Sequence, residues 1–585
     1  MLIKTSIEFL EVAHEENDVL LGLWCLKNSN NLLDNKNNFK IIPYHWDDRE
    51  KYSGDYVYLE SLYERLLLQL ARELDEIHGL NESLMYWRII IGPWLWFFID
   101  VIFDRYECIK QAKESCPEVT AKNFSYNLDD WCPLNFSEFW FDITSEEWNE
   151  VIFSECIKVH EIIFEIRRER IEPSRNQLSK PINYKDISIY LNKLYSKLVR
   201  TTQTGSILLG AYIPISKLIR LQLKLVQVPY LKIPKLEVLP SKNKSLMREN
   251  LCQEFICFNS FEIFLTGLIR SLIPKNYLED FLQTKAKVMN ALPSNPRAIF
   301  TANSYHGDDN FKIWAAEKVS LNIPLIIGQH GGSFGTALIN QSEQHQLKIA
   351  DKFLSWGWKI QGGDNVIKFP SLQLSGRASI KGDPNGKILH VLSSLPRYFY
   401  QHFSMPVAGQ FLSYLENQIL FLNELEDNVS KHVIVRTDKS GVNTGWNIAQ
   451  VLDVAGHSFR IDKSKDSLHK SLKKSRLCIC THNATVFLEC LSMNFPTIIF
   501  WQPSHHEVRP DAAPFFKLLV DAGILFYSSE DAAKQVNKVT TNIDHWWYSD
   551  SVQSARKTFC EQYAYSSDDW LHEWGEFLLG VKKIS

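Results

Sequence analysis

Two short stretches of the sequence place glycines, small polar residues and a histidine where a strand ends. The first, residues 326–332, reads IIGQHGG and follows an apolar run. Glycines let a backbone approach a ligand closely and expose N–H groups to an anion, and a histidine there can serve as acid, base or phosphate donor. We therefore predict that His330 is catalytic and that Gln329, Gly331 and Gly332 contact the substrate.

The second stretch, residues 478–489, reads CICTHNATVFLE and predicts a strand, a polar turn and the start of a helix. Asn483 or Thr485 could cap that helix, and a helix N-terminus favours a phosphate. Glu489 could accept ribose hydroxyls, or it could be an ordinary acid stabilised by the helix dipole. The residues predicted to bind a ligand here are Thr481, His482, Asn483, Thr485 and Glu489; capping without a ligand is the alternative.

Charged residues near other predicted strand ends complete the candidate site. Carboxylates and imidazoles can activate an acceptor group, and a guanidinium can hold an anion. The candidate catalytic residues are His45, Asp47, Asp48, Asp308, Asp309, Glu343 and His345, and the candidate anion clamps are Arg397, Arg436 and Arg509. A solvated turn would equally explain the acidic groups, and a salt bridge would equally explain each arginine.

The elements that would position these residues alternate between strand and helix from residue 297 onward. Short buried strands separated by helices indicate a parallel sheet with covered faces, and ligands bind beyond the carboxyl ends of such strands. Strands are predicted at residues 298–302, 324–328, 387–392, 432–435, 477–480 and 496–500. The turn residues at 384–386 (PNG) mark a boundary between two such α/β units.

The N-terminal half is dominated by helical patterns. Residues 18–26 predict a buried strand, residues 59–79 predict a helix, and residues 105–200 are mostly helical in pattern without chemically suggestive residues. An apolar window at 87–103 has only eleven uncharged residues in a row. Because a bilayer span needs ~20 apolar residues, this window is predicted to be buried protein.

The composition excludes several classes of protein. The chain has 585 residues, 45% hydrophobic and 23% charged, with a net charge of -4. This excludes a wholly disordered chain and argues against a nucleic-acid binder. Eleven cysteines without a CxxC repeat, and no visible export signal, favour reduced thiols in a cytoplasm. Cys478 and Cys480 are predicted to fill core space rather than bind metal. No GxxxxGKS/T, HExxH or GxSxG motif is present, which argues against a P-loop NTPase, a zincin or an α/β-hydrolase.

One segment, between Ala211 and Arg248, concentrates positive charge, with eight basic residues against a single acid, Glu237. It is either a solvated connection or a surface for anionic lipid head groups or an anionic acceptor, and near an anionic membrane each basic residue would contribute roughly 1 kcal/mol. The basic residues are Lys217, Arg220, Lys224, Lys232, Lys235, Lys242, Lys244 and Arg248.

Four stretches together resemble a family of bacterial surface-carbohydrate transferases first noted in leptospiral lipopolysaccharide clusters. They are PYHWDDR at 43–49, YWRIIIGPWL at 86–95, IGQHGGSFG at 327–335 with SWGW at 355–358, and HNATVFLECL at 482–491 with WW at 546–547. The resemblance spans nearly the whole chain. It implies an α/β, GT-B-like fold with two Rossmann-type domains, and a role in polysaccharide assembly.

The domain boundaries follow from that resemblance. It implies an N-terminal Rossmann-like acceptor-side domain at residues 1–375 with a large helical insertion at about 55–290. A nucleotide-sugar-binding Rossmann-like domain at 376–545 and a C-terminal helical segment at 546–585 would follow.

A looser similarity concerns the donor. The Gln-His-Gly loop, the polar turn and the Phe-x-Glu helix are also similar to capsule-type transferases that use cytidine-linked donors. This chain departs from their pattern, because HNAT at 482–485 stands where a Tyr/Ser/Thr run is typical, which leaves the phosphate contacts open. Gln346 stands where an acid is expected, which argues against a catalytic role for that position.

These resemblances imply a cytoplasmic, metal-independent glycosyltransferase at the inner membrane face. It would transfer a sugar from a nucleotide donor, first choice a CMP-linked 2-keto-3-deoxy acid sugar, to a glycan or lipid-linked glycan of O-antigen or capsule. His330 would contact the departing phosphate or act as acid, and His45, Asp47 or Asp48 would activate the acceptor. Two other functions stay open: a CDP-alcohol phosphotransferase of the teichoic-acid type, and a non-catalytic glycan-assembly scaffold.

Overall fold

The described part of the chain folds into three parallel sheets surrounded by helices. The structure is a computed structural model. It describes residues 2–4, 18–26, 40–175, 205–231, 236, 241, 246–360, 362–437, 445, 446, 448, 452, 460–464 and 466–582. Every pair of neighbouring strands in the three sheets is parallel.

The first sheet comes from the N-terminal part and has the strand order β3-β2-β1-β4-β5. Its strands are β1 (Leu2–Lys4), β2 (Asp18–Leu20), β3 (Lys40–Ile41), β4 (Thr120–Ser125) and β5 (Ile163–Arg170). Its helices are α1 (Arg49–His78), α2 (Leu84–Ser115), α3 (Phe136–Asp142) and α4 (Glu146–Val159). The strand predicted at 18–26 is therefore shorter than expected, because a 3-10 turn (Leu23–Leu26) replaces its second half.

Helices α1 and α2 pack against each other. Asp48 caps α1, since its side chain accepts from the N–H groups of Glu50 and Lys51, and Gly79 ends the helix in the left-handed conformation with a φ of 62°. Among the described residues, α2 alone is long and apolar enough to cross a membrane, and its apolar window is wholly buried in the protein. The prediction that residues 87–103 are buried protein is confirmed.

The second sheet has the order β10-β9-β8-β7-β6. Its strands are β6 (Ser206–Leu208), β7 (Ala298–Thr301), β8 (Leu325–Gly328), β9 (Lys352–Ser355) and β10 (Val366–Lys368). Its helices are α5 (Ile215–Lys224), α6 (Met247–Asn250), α7 (Ser260–Leu272), α8 (Phe281–Ala291), α9 (Ser304–Gly307), α10 (Asp309–Val319) and α11 (Gln341–Ile349). The range predicted as a helical insertion, 55–290, therefore also contains β4, β5 and β6.

The third sheet has the order β13-β12-β11-β14-β15-β16, which is the Rossmann order with the chain reversing between β11 and β14. Its strands are β11 (Lys387–Val391), β12 (Val433–Arg436), β13 (Arg460–Ile461), β14 (Ser475–Cys480), β15 (Thr497–Phe500) and β16 (Leu525–Phe526). Its helices are α12 (Gln410–Asn423), α13 (Asp427–Ser430), α14 (Leu468–Lys473), α15 (Thr485–Ser492), α16 (Ala513–Asp521) and α17 (Ser529–Val539).

The C-terminal helices lead the chain back to the second sheet. They are α18 (Ile543–Trp547), α19 (Asp550–Tyr563) and α20 (Trp570–Gly580). Trp574 and Leu578 of α20 pack with α5 on the apolar face of the second sheet, against Phe300 and Leu354. Helix α19 packs on α15 and α16, so the C-terminal helices join the second and third sheets. The six strands predicted between residues 298 and 500 and the α/β, GT-B-like fold class are confirmed.

Candidate functional site

The loops after β8 and β14 meet, so the two stretches singled out in the sequence lie at one junction. The backbone N–H of Gly332 donates to Thr485 Oγ1 at 3.0 Å, and Asn483 Nδ2 donates to Thr336 Oγ1 at 3.1 Å. Both loops extend from the carboxyl ends of parallel strands, where α/β proteins bind ligands. We call this junction, residues 329–337 with 481–485, the cleft.

Gly332 is the point of closest approach between the two loops. A Cβ on Gly332 would lie 2.3 Å from the carbonyl carbon of Ala484 and 2.7 Å from the backbone nitrogen of Thr485. A Cβ on the neighbouring Gly331 would meet nothing nearer than Thr485 Oγ1 at 3.3 Å. Gly332 is therefore needed for backbone packing between the loops.

His330 lies at a cavity beside the cleft, at the carboxyl ends of the second sheet. The cavity is also lined by Tyr212, Gln373 and Trp574, and the ring of His330 is 5.7 Å from that of Tyr212. Its Nδ1 is buried and has no hydrogen-bond partner. Burial lowers the pKa of His330 to about 4, so the ring is neutral near pH 7 and can accept a hydrogen bond.

Gln329 supports the histidine loop through both ends of its side-chain amide. Its Nε2 donates to the carbonyl of Gly331 at 2.8 Å. Its Oε1 accepts from Trp356 N and from Trp358 Nε1, each at 2.8 Å. Both ends of the amide are thus bonded within the protein, and because Gln329 also lines the His330 cavity, its substrate contact stays a prediction. These bonds also explain the SWGW motif, because its two tryptophans hold Gln329 in place.

Glu343 and Arg509 also hold the histidine loop. Glu343 is fully buried; it accepts from the N–H of Gly335 at 2.7 Å and from Arg509 at 2.5 Å. Arg509 Nε donates in turn to the carbonyl of Ala337 at 3.0 Å. Burial raises the pKa of Glu343, although Arg509 opposes the shift. The predicted catalytic acid and the predicted anion clamp are therefore a pair that positions the loop.

The turn after β14 leaves the start of α15 without a side-chain cap. The N-cap residue is Ala484, and no side chain accepts from the first N–H groups of the helix. Thr485 and Asn483 instead reach across to the histidine loop, so the prediction that one of them caps the helix is wrong. Thr481 is bonded within the third unit, because its Oγ1 donates to Val391 O at 2.9 Å. Uncapped N–H groups favour an anion.

Glu489 is engaged by two side chains from the segment that joins the second and third sheets. Its carboxylate accepts from Gln373 Nε2 at 2.7 Å and from Arg377 Nη1 at 2.8 Å. Gln373 also lines the His330 cavity, and its Oε1 has no hydrogen-bond partner. Glu489 thus holds Gln373 at the cavity wall. A ribose could bond to Glu489 only by displacing Gln373 or Arg377.

The PYHWDDR motif contributes to the cleft through Arg49 and not through His45. His45 is buried, with Nε2 3.1 Å from Asp104 Oδ1. Asp48 is occupied as the cap of α1, and Asp47 accepts from Gln410 Nε2 at 3.1 Å. The predicted acceptor-activating role of His45 and Asp48 is thus corrected, since both are held by the protein.

Arg49 was not predicted as a site residue, and its side chain reaches the third unit. Its guanidinium makes a two-pronged bond with Glu507, at 2.7 and 3.1 Å. The carbonyl of Glu507 accepts from the N–H of Leu338, at the end of the histidine loop. The signal available in the sequence was the arginine at the end of a dense polar motif.

Asp309 and His345 lie in the core behind the cleft. Asp309 accepts from Tyr277 OH at 2.7 Å and pairs with Lys312 at 2.8 Å, and Asp308 caps α10. Neither ring nitrogen of His345 has a hydrogen-bond partner, and burial lowers its pKa well below the usual value. The Tyr305 ring packs against both His345 and His330, with centroid distances of 5.9 and 6.5 Å. Asp309 is therefore held by an ion pair and a hydrogen bond within the protein, whereas a catalytic role for His345 stays a prediction.

Two predicted anion clamps are occupied by the protein itself. Arg397 is buried, donates to the carbonyl of Trp24 at 2.5 Å and pairs with Glu146. It thereby ties the first unit to the third. Arg436 pairs with Asp462 at 3.1 Å and donates to Ser471 Oγ at 2.9 Å. Because a carboxylate already neutralises each guanidinium, neither is free to hold a substrate anion.

In the described part of the chain, two groups of buried side chains lie close enough together to bind a metal ion. The sulfur atoms of Cys478, Cys480 and Cys490 lie within 4.8 Å of one another and could hold a soft metal ion. Burial raises the pKa of the Cys480 thiol well above its usual value, which favours the protonated form. In the second group, His45, Asp104 and Cys108, the carboxylate is already paired with Arg105 at 2.5 Å. Metal independence stays a prediction.

The lowered pKa values of four buried histidines predict that the free energy of unfolding depends on pH. Burial lowers the pKa to about 4 in His330 and His390 and to about 3 in His306 and His506. The histidines of the unfolded chain take up protons at a higher pH than those of the folded chain. The free energy of unfolding is therefore highest above pH 6.5 and falls as the pH drops from there toward 4. The slope is up to about 1.4 kcal/mol per pH unit for each histidine. Urea unfolding between pH 4.5 and 7.5 measures this, and His390→Gln should flatten the curve; an equally steep curve would contradict the assignment.

The fold and the cleft define an α/β enzyme of GT-B-like architecture, with a histidine loop on one sheet and an uncapped helix start on the other. The chain belongs to the LIC12162 family of transferases, whose family model matches residues 1–578. The family resemblance seen in the four motifs is thereby confirmed, and the protein is a transferase. No curated protein matches the sequence.

Several solved structures are similar at low identity. MurG from Acinetobacter baumannii is 14% identical, with 64% of this chain and 98% of that chain covered and a TM-score of 0.32. MnaA from S. aureus, solved with UDP, is 13% identical, with 65% and 98% covered and a TM-score of 0.35. WaaG, a glycosyltransferase involved in lipopolysaccharide biosynthesis, is 10% identical, with 52% and 95% covered and a TM-score of 0.27.

Proposed function

We propose that this transferase is a glycosyltransferase with a nucleotide-sugar donor. The observation that carries the proposal is a pair of polar atoms without hydrogen-bond partners, His330 Nδ1 and Gln373 Oε1, on residues that line one cavity beside the cleft. Buried polar atoms are nearly always hydrogen-bonded, so these two atoms are free to bond with a polar group that enters the cavity. Membership of a transferase family supports group transfer as the reaction.

The departing nucleotide phosphate would bind at the start of α15. The uncapped N–H groups there and the positive end of the helix dipole favour a phosphate and stabilise the charge that develops as the glycosidic bond breaks. His330 lies across the cleft, and a phosphate beside it would raise its pKa from the lowered value. His330 could then hold a proton for the leaving group, as predicted from the sequence.

For the donor we propose a CMP-linked 2-keto-3-deoxy acid sugar, and for the acceptor a glycan or lipid-linked glycan of O-antigen or capsule at the inner membrane face. The support is the looser similarity to transferases with cytidine-linked donors. Transfer without a metal is part of the proposal, because the helix terminus supplies the charge stabilisation. A CDP-alcohol phosphotransferase would leave a phosphodiester in the product, and phosphorus analysis of the product separates the two.

His330→Ala and Asn483→Ala test the proposal. Loss of a proton-transferring group costs about 10²–10⁴-fold in rate, so we expect His330→Ala to lose donor hydrolysis and transfer by that factor. A thermal-shift screen of the parent protein against CMP, CDP, UDP and GDP identifies the nucleotide. His545→Ala, an exposed histidine on α18, is the control and should behave as the parent.

Undiminished hydrolysis and transfer in folded His330→Ala and Asn483→Ala proteins would overturn the proposal. A parent protein that binds no nucleotide but binds a partner enzyme tightly would instead indicate the scaffold function.

The membrane contact is a second part of the proposal, and the structure changes its residues. Lys217 donates to the carbonyls of Leu372 and Ser375, and burial lowers its pKa to about 8. Arg248 is buried in a pair with Glu279. Lys232, Lys235, Lys242 and Lys244 lie outside the described residues. Lys217 and Arg248 are therefore unsuited to bind lipid.

Exposed apolar side chains offer a better membrane surface on the same segment. Val226 is 92% exposed, and Leu223, Ile215 and Tyr212 are also exposed, with Lys224 beside them. Tyr212 lines the His330 cavity, so this surface adjoins the proposed transfer site. A peripheral enzyme with a lipid-linked acceptor would need an apolar and cationic surface at that place.

We expect the double variant Leu223→Asp, Val226→Asp to lose binding to anionic vesicles while it keeps transfer to a soluble acceptor. Val57→Asp, which removes a comparably exposed apolar side chain on α1 (67% exposed), is the control. Vesicle co-sedimentation at low and high salt measures the effect. If the double variant sediments as the parent does, the membrane contact should be abandoned.

A further inference from the structure

A row of positive charge lies along the amino-terminal edge of the third sheet, at the end of the strands opposite the cleft. Four neighbouring strands, in the order β13-β12-β11-β14, each begin at or beside a basic residue. These residues are Arg460, Lys431 with His432, Lys387 and Arg476. Neighbouring strands lie about 4.8 Å apart, so the charges act on one another. Partial burial and the four cations around it together lower the pKa of His432.

The Arg476 side chain has no hydrogen-bond or ion-pair partner in the part of the chain that the structure describes. Lys387 pairs with Ser475 and Ile388 pairs with Leu477, so Arg476 is the extra residue of a β-bulge between β11 and β14. A bulge re-aims the side chain that it carries. Arg476 Nε is buried without a partner, and burial lowers the pKa of this arginine. A partly buried cation without a counter-charge favours an anion beside it.

Arg476 lines a cavity of about 220 Å³ between the start of β14 and the turn that joins α17 to α18. Lys381 adds a second cation to the lining, and Asp383 and Asp544 add two carboxylates. Among these four described residues, no carboxylate is paired with a cation. The cavity therefore has room for an anion at its cations and for hydrogen-bond donors at its acids.

The turn between α17 and α18 presents further acceptors to the cavity. Thr540 Oγ1 donates to the carbonyl of Asn537, and Thr541 Oγ1 donates to the carbonyl of Lys538, each at 3.0 Å. A hydroxyl has a single proton, so both threonine oxygens can only accept from a ligand. The carboxylate of Asp544 likewise only accepts. A ligand that bonds to this side of the cavity must supply O–H or N–H groups.

We propose that this cavity binds a sugar unit that carries a phosphate or carboxylate group. The anionic group bonds to Arg476 and Lys381, and the sugar hydroxyls donate to Asp544 and to the threonine oxygens. The Tyr548 ring, which is 50% exposed, adds an apolar face to the lining. The site is separate from the cleft, because the two lie at opposite ends of the strands of the third sheet. The inference therefore does not depend on the proposed donor.

Titration calorimetry with galactose 6-phosphate, galacturonate and galactose tests the proposal. The parent should bind one of the two acidic sugars at least about 10-fold more tightly than galactose, because hydrogen bonds to charged groups contribute that much. Tighter binding of galactose 6-phosphate assigns a phosphate to the site, and tighter binding of galacturonate assigns a carboxylate. Arg476→Gln should weaken the preferred acidic sugar about 10-fold. Asp544→Ala should weaken that sugar but leave the binding of inorganic phosphate unchanged.

Two control variants locate the binding. Arg72→Gln, which replaces an exposed arginine on α1, and Asn483→Ala, in the cleft, should both bind the acidic sugars as the parent does. The proposal is refuted if the parent binds the acidic sugars no better than galactose, or if Arg476→Gln binds them as the parent does. A loss in Asn483→Ala without a loss in Arg476→Gln would place the binding at the cleft and also refute it. None of these results bears on nucleotide binding, so the proposed function stands or falls separately.

Discussion

Gly332→Ala is expected to abolish transferase activity almost completely. The new Cβ would lie 2.3 Å from the carbonyl carbon and 2.4 Å from the carbonyl oxygen of Ala484, so the two loops of the cleft must separate. Forcing extra volume into a packed contact costs about 1–3 kcal/mol. A displacement of about 1 Å between reacting groups can lower a rate about 10²-fold. We therefore expect a loss of that order in transfer, with a modest fall in thermal stability.

Gly331→Ala is the matched control for this prediction. Its Cβ would be 3.3 Å from Thr485 Oγ1 and 4.0 Å from the Phe334 ring, a contact that a small side-chain shift relieves. Transfer rates and thermal unfolding of both variants should be measured side by side. Equal activity in Gly332→Ala and Gly331→Ala would show that the close loop contact is dispensable.

Glu343→Ala is expected to have the largest effect on stability. The substitution leaves Arg509 without its buried partner and the N–H of Gly335 without an acceptor. Removal of one partner from a buried ion pair costs about 3–5 kcal/mol. The histidine loop loses two of its supports at once, so transfer should fall as well. Urea unfolding and transfer assays measure the two effects.

Two comparison variants make this prediction specific. Glu343→Gln keeps an acceptor for the Gly335 N–H and should lie between Glu343→Ala and the parent. Asp521→Ala removes an exposed pair with Lys517 and should cost less than about 1 kcal/mol. A Glu343→Ala protein as stable as Asp521→Ala would mean that the buried pair does not support the loop.

Six strands of the second and third sheets could be predicted because each is a short, mostly apolar run, whereas β6, β9, β10, β13 and β16 were not predicted. β7, β8, β11, β12, β14 and β15 all have this form, and they lie where the pattern places them. Of the strands in the first sheet, only β2 lies within a predicted strand. β3 has only two residues, and β5 (Ile163–Arg170) is mostly exposed and rich in charge, so neither has an apolar periodicity to detect.

The sequence also indicated both halves of the candidate site, but not the partners of its charged residues. Glu343 and Arg509 were each candidates for chemistry, and they are instead joined across 166 residues. Arg397 meets Glu146 across 251 residues. The type of a side chain determines which groups it can bond, but not which distant group the fold brings next to it.

By itself, the sequence determined the strands and helices that have a clear apolar pattern, because such patterns act over a few residues. It also determined that polar groups would collect at the carboxyl ends of the strands. Only the tertiary structure decided which of them stay available to a ligand. Burial beside an opposite charge made Arg397, Arg436, Glu343 and Arg509 structural, since a neutralised pair gains nothing from a substrate. His330 keeps an unpaired nitrogen because the packing around it supplies no donor.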